Sequence, residues 1–89
     1  MKLKISKRFV KDSQRISDPR ILAKLRQVLS DTEQALALGD IPNLQQLTGY
    51  PNYYRIRFDY RYRIGVYCDG DVVEFLRVGT REDFYNKFP

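Results

Sequence analysis

The order of apolar patterns predicts an α+β domain built as β-α-α-β-β-β with a short C-terminal tail. Two observations carry most of this reading. Between Ile21 and Leu38 apolar residues recur at spacings of three, four and seven, the period of a helix. From Tyr53 onward the chain is rich in Tyr, Phe, Ile, Val and Arg, and it is cut by the short turns Asp59-Tyr60-Arg61 and Asp69-Gly70-Asp71. That composition belongs to strands, and turns so short join antiparallel neighbours. The 89 residues allow one domain, 1–89, with a single modest core.

Each element has a local reason. Lys2-Leu3-Lys4-Ile5 alternates and reads as a strand with Leu3 and Ile5 inward. Ser6 can cap a helix that begins at Lys7, with Phe9, Val10 and Ile16 toward the core. Asp18-Pro19 supplies a cap and a first-turn proline for a second helix, antiparallel to the first. Its apolar residues run to Leu38, and Gly39 is the expected stop. Pro42 and Gly49-Tyr50-Pro51-Asn52 mark irregular chain, pinned by Leu44 and Leu47. Three strands follow, Tyr53–Phe58, Tyr62–Cys68 and Val72–Val78, and the tail from Arg81 has room for one helical turn.

Composition excludes several functions. No apolar run is long enough to span a bilayer, and the alternating N-terminus lacks the continuous apolar stretch of a signal peptide. Cys68 is the only cysteine, so neither a disulfide framework nor a thiolate metal site is available. These features predict a cytoplasmic protein with no metal, no other cofactor and no membrane partner. The chain has no histidine, which removes histidine-dependent triads and the usual acid–base group of neutral pH. A net charge of +5 points to an anionic partner, nucleic acid first.

Alternation divides the strands into two faces. Tyr54, Ile56 and Phe58 join Ile64, Val66 and Cys68 on the apolar side, while Arg55, Arg57 and Arg63 share the other with Gly65 and Tyr67. With Arg61 this puts four arginines in one hairpin, on a face expected to be partly open and lined with tyrosines. Guanidinium groups take phosphate bidentately and tyrosine rings stack on bases, so single-stranded RNA suits the face. The plainer alternative is a solvated strand surface, since from Tyr50 onward seven basic residues meet six acidic ones. Cleavage of RNA by its own 2′-hydroxyl needs no protein nucleophile, only an aligned phosphate, charge neutralisation and proton transfers. Arginine serves the first two but is no conventional base. Tyr85 is the better proton-transfer candidate, and Lys87 is a lesser one. Cys68 reads as a small core residue.

Four segments in order resemble the RelE/ParE superfamily of type II toxins. They are Leu47-Thr48-Gly49, Tyr54-Arg55-Ile56-Arg57-Phe58, Tyr62-Arg63-Ile64-Gly65 and Arg77-Val78-Gly79-Thr80-Arg81-Glu82-Asp83-Phe84-Tyr85. The resemblance implies a RelE-like fold and a toxin neutralised by a cognate antitoxin. In the RelE branch it implies an mRNA interferase that enters the ribosomal A site and leaves 2′,3′-cyclic phosphate ends. Carried over by position, Arg57, Arg63 and Arg81 align the scissile phosphate and Tyr85 stacks on a base. Arg55 is carried over beside Arg57 as a further RNA contact, and Arg61 of the hairpin cluster and Lys87 of the tail are read from the residues as two more. The chain departs from the common pattern at Thr48, where many relatives have lysine, and at Thr80, where many have histidine. Some relatives also carry lysine where Arg55 and Arg57 stand. Two alternatives stay open: a ParE-like inhibitor of gyrase and a relative that binds RNA without cutting it.

Overall fold

The computed structural model describes residues 1–89. In chain order the elements are β1 (Lys2–Ile5), α1 (Lys7–Gln14), α2 (Pro19–Gln34), β2 (Leu44–Gln46), β3 (Tyr53–Arg57), β4 (Tyr62–Asp69), β5 (Val72–Thr80) and α3 (Arg81–Lys87), with one 3₁₀ turn at Leu38–Asp40. The five strands form one sheet in the order β1-β5-β4-β3-β2. The β3–β4–β5 meander is antiparallel as expected, whereas β1 joins β5 in parallel and closes the far edge. Strand β2, paired antiparallel with β3, replaces part of the expected irregular chain.

Helix α1 starts at Ser6, whose Oγ accepts from Phe9 N (3.1 Å) and donates to Leu76 O (2.9 Å). Helix α2 starts at Asp18, which accepts from Arg20 N (2.9 Å). It stops at Gln34, four residues short of the last apolar position in its pattern. The reason is local: the Asp40 carboxylate accepts from the backbone N–H groups of Leu36 (3.3 Å) and Ala37 (3.1 Å). The carboxylate competes with the helix for those amides, a common habit of short acidic side chains. Leu36 consequently stands in water rather than in the core. Val10 and Ile5, also expected inside, are exposed as well.

Helix α1 lies on β5 and α2 on β1. Beneath them is one apolar cluster that includes Phe9, Ile16, Ile21, Leu25, Ile56, Ile64, Val66, Cys68, Val73, Phe75 and Val78. Phe9 meets Phe75 edge to face at 5.5 Å. Burial pushes the Cys68 thiol up to about 11, so it stays protonated and unreactive at neutral pH.

Strand β5 breaks simple alternation. Val73 and Phe75 face the core, and then so does Val78, a step of three. A bulge opposite Gly65/Val66 absorbs the extra residue. It turns Gly79 toward the opposite face, where Gly79 sits across from Arg63.

That opposite face is not simply open. Helix α3 crosses it and buries Phe84 completely, and Phe88 stacks on Phe84 at 5.0 Å and meets Tyr53 at 5.9 Å. Gly65 makes the docking possible, since a Cβ there would lie 2.5–2.6 Å from the Phe88 ring. Gly65→Ala should therefore lift the tail off the sheet, destabilising the protein by about 1–3 kcal/mol. Thermal melting and limited proteolysis of the C-terminus would show this, and an unchanged Tm with a protected tail would contradict the packing.

Candidate functional site

Three elements bring the candidate residues together. On β3, Tyr53, Arg55 and Arg57 point away from the core. Across the ladder they face Tyr67, Gly65 and Arg63 of β4. Helix α3 runs antiparallel to β3 over this surface: Arg81 N donates to Arg61 O (2.8 Å), the Tyr85 hydroxyl meets Arg55, and Phe88 meets Tyr53. The match is geometric. Residues i and i+2 of a strand are about 7 Å apart, and residues i and i+4 of a helix about 6 Å. Arg81 and Tyr85 can therefore run beside Arg57 and Arg55.

Two linked groupings result. In the first, Arg57, Arg63, Arg81 and Tyr60 surround a depression of about 290 Å³. The Arg81 guanidinium lies over the Tyr60 ring at 5.1 Å, and its Nε donates to Glu82 Oε1 (3.2 Å). The hydrogen bond to Glu82, helped by Tyr60, raises the Arg81 pKa further, so Arg81 is permanently charged. In the second, the Arg55 fork is split: Nη1 donates to the Tyr85 hydroxyl and Nη2 to Gln45 Oε1 (2.7 Å). The Tyr85 oxygen is thus an acceptor toward Arg55, and its own hydrogen remains available for donation.

Arg63 departs from the expected open position. It is 6% exposed, and its Nη1 donates to three carbonyls, Asp59 O (2.9 Å), Tyr60 O (3.2 Å) and Tyr62 O (3.0 Å). It thereby fastens the β3–β4 turn. It has no carboxylate partner, and its buried Nε has no hydrogen-bond partner. Arg57 opposite makes no ion pair either. Two like charges face each other with no carboxylate in ion-pair distance, since Asp59, which also lines the depression, is paired with Lys24, and an incoming anion would relieve the arrangement.

Arg61 and Lys87 lie apart from this strip. Arg61 is an exposed turn residue on the rim of a separate depression with Arg15, Arg20 and Lys24. Lys87 is on the other side of α3. Its Nζ donates to Val78 O (3.3 Å) and pairs with Asp83 Oδ2 (3.1 Å) and Asp12 Oδ1 (3.5 Å). Thr80, where a histidine is common in relatives, caps α3 by accepting from Asp83 N (3.4 Å). Sequence reasoning missed Gln45 and Tyr60. It also missed Asp12, which holds α3 through Lys87 and gave no signal beyond being one polar residue on an amphipathic helix. Elsewhere, no three His, Cys, Asp or Glu side chains converge, and no helix is long and apolar enough to cross a membrane.

Residues 3–85 match the family model described as the ParE toxin of the type II toxin–antitoxin system parDE. The chain belongs to the RelE/ParE family of toxins. It is 34% identical over 90 residues to Toxin RelE3 of Methanocaldococcus jannaschii, an alignment that covers the full length of both. A chain of the RelB–RelE antitoxin–toxin complex from Methanococcus jannaschii superposes with a TM-score of 0.81 at 31% identity, over 97% of this chain and 99% of that one. The YoeB dimer of Staphylococcus aureus, at 18% identity, shares the fold with a TM-score of 0.69 over 86% of this toxin and 92% of that chain.

The toxin's strip depends on Asp12, which is 6% exposed. Its carboxylate accepts from Arg77 Nε (2.8 Å), Arg77 Nη2 (3.2 Å) and Val78 N (3.1 Å). Burial alone would raise its pKa, but these hydrogen bonds and the charges of Lys87 and Arg77 together hold it below the ordinary 3.8. A depressed carboxyl stabilises the fold above its unfolded value and loses that contribution as pH falls through its folded value. Asp12→Ala should cost about 3–5 kcal/mol at neutral pH, since it leaves Arg77 with no carboxylate partner and the Val78 amide with no acceptor, while Lys87 keeps Asp83. Between wild type and Asp12→Asn, the stability gap should be widest above pH 4 and close progressively below 3.8. Denaturant melts across pH 2–7 measure it, and a gap independent of pH would refute this role.

Proposed function

We propose that this toxin is a ribosome-dependent mRNA endoribonuclease that needs no metal and inhibits translation by cutting the message in the A site. The observation that carries the reading is the uncompensated guanidinium pair Arg57/Arg63, with Arg81 completing the rim of one depression. A phosphodiester fits such a place. Arg57 and Arg81 offer forks for its non-bridging oxygens, and Arg63 adds charge from beneath while keeping the turn in shape. The RNA supplies the nucleophile. Its 2′-oxygen bonds to phosphorus, the bond to the 5′-oxygen breaks, and a 2′,3′-cyclic phosphate and a 5′-hydroxyl result.

Protons move at two atoms. The 2′-hydroxyl gives its proton to water. Asp59 and Glu82, the nearby carboxylates, are poor acceptors: hydrogen bonds from Lys24 and Arg61 N–H lower Asp59, and its own N–H and Arg81 lower Glu82. The Tyr85 hydroxyl, oriented by Arg55, gives its proton to the leaving 5′-oxygen and regains one from water, and its ring is presented to a base. Most of the rate then comes from electrostatic stabilisation of the charged transition state rather than from a strong base.

Message cleavage on programmed ribosomes tests this. Arg57→Ala and Arg81→Ala should each slow cutting by about 10²–10³ with the fold intact by circular dichroism. Lysine at either position should restore part of the rate, because the fork is lost. Full activity in the Arg57/Arg81 double alanine variant would reduce the strip to a solvated surface. The ParE description of the matching model favours one competing reading, a toxin that poisons gyrase. Gyrase-dependent DNA breaks with intact mRNA would select it.

The same reading assigns a protein partner. Structures that this fold resembles include the RelB–RelE and DinJ–YafQ complexes. An antitoxin segment, acidic or amphipathic, would neutralise the exposed arginines and tyrosines of the strip. Co-expression with the product of an adjacent small gene should yield a stable complex, and failure to copurify would count against that partner.

A further inference from the structure

We propose that Tyr60 is a second base-stacking platform, at the phosphate depression and a helical turn along the strip from Tyr85, so that the strip takes two consecutive nucleotides of single-stranded RNA. The inference rests on the RNA reading above and extends it to the shape of the ligand. Tyr60 is 75% exposed, more than any other large aromatic side chain on the surface. A ring so far out contributes little to the core, yet its mounting is firm. The Tyr60 carbonyl accepts from Arg63 Nη1 (3.2 Å), Asp59 Oδ2 accepts from Arg61 N (2.9 Å), and Arg61 O accepts from Arg81 N (2.8 Å). The turn that carries Tyr60 is thus fastened to both the sheet and α3.

One face of the ring takes the Arg81 guanidinium. Its large exposure leaves the other face to solvent. Tyr85, half exposed, projects from α3 one turn beyond Arg81. Tyr60 thus flanks the Arg81 guanidinium at the depression and Tyr85 lies one helical turn further along the strip beside Arg55, so a phosphate held by Arg57 and Arg81 would have one aromatic ring at the depression and a second a helical turn away. Stacking of a base on each ring places the scissile phosphate between the two bases, with no demand on base identity because every base offers a π-face. A tyrosine that merely restrained Arg81 would give the same static picture, so the test must read the base itself.

The test titrates fluorescent single-stranded RNA oligonucleotides, blocked by a 2′-deoxy nucleotide at the cleavage position, against the whole toxin. Three oligonucleotides are used: one intact, and one with an abasic nucleotide on each side of the scissile phosphate. Tyr60→Leu should weaken binding of the intact oligonucleotide by about 5–150-fold, the range for one base–aromatic stack. Tyr60→Phe should leave it unchanged. Tyr60→Leu should add nothing further on one abasic oligonucleotide, while Tyr85→Leu should add nothing further on the other, since coupled partners are not additive. Losses from Tyr60→Leu that add in full to both abasic losses would make Tyr60 a support for Arg81 and overturn the proposal, as would wild-type affinity of Tyr60→Leu. Arg57→Ala reads the phosphate in the same titration. If it weakens binding while Tyr60 couples to neither base, the arginine strip stands and the second platform falls. If wild type binds none of the oligonucleotides, the second platform falls, while the arginine strip is judged by message cleavage on programmed ribosomes.

Discussion

The Asp12 carboxylate reaches three groups on two elements at once: the side chain of Arg77 and the amide of Val78 on β5, and Lys87 on α3. Asp12 itself sits on α1, whose start is tied to the bulge through Ser6 and Leu76. A buried carboxylate is tolerable only when its acceptor sites are filled and its charge is matched. Here both conditions are met only if α1, the bulged strand and the last helix hold one mutual arrangement. That arrangement carries Arg81 and Tyr85 to the arginines of β3. Asp12 acts entirely through what it holds, since it belongs to no part of the strip.

The bulge has the same kind of importance. Without the extra residue in β5, alternation could not place both Phe75 and Val78 in the core, nor Gly79 opposite Arg63 on the other face. Small side chains at Gly65 and Gly79 leave room there for Phe88 and Lys87. The sheet thus has two dissimilar sides, a main core under α1 and α2 and a small aromatic cluster under α3. The guanidinium groups occupy the end of the second side that Phe84 and Phe88 leave uncovered.

Much of this could be read from local pattern. Alternation alone put Ile56, Ile64, Val66 and Cys68 inside and grouped Arg55, Arg57 and Arg63 on one face. Caps at Ser6 and Asp18 announced both helices. What escaped depended on partners distant in sequence or on weak signals. Strand β2 has three residues and one apolar side chain, Leu44, too little for a period. The early end of α2 comes from a competing carboxylate, Asp40, that helix spacing does not register. Arg63 and Lys87 look like any surface cation until the fold hands them carbonyls and carboxylates. Arg77 entered only as the first residue of the last family segment, with nothing to mark it as the partner of a buried aspartate. The spacing Val73, Phe75, Val78 did hold the bulge, as a step of two followed by a step of three.

In the proposed reaction the RNA is its own nucleophile, and the protein holds phosphate and spreads charge. The most direct measurement uses programmed ribosomes carrying a message with a single 2′-deoxy nucleotide just 5′ of the cleaved bond, beside the all-ribose message. The account predicts that the ribose message is cut to a 2′,3′-cyclic phosphate and a 5′-hydroxyl, while the deoxy message stays whole. Cutting of the deoxy message, or fragments ending in a 3′-hydroxyl and a 5′-phosphate, would contradict it.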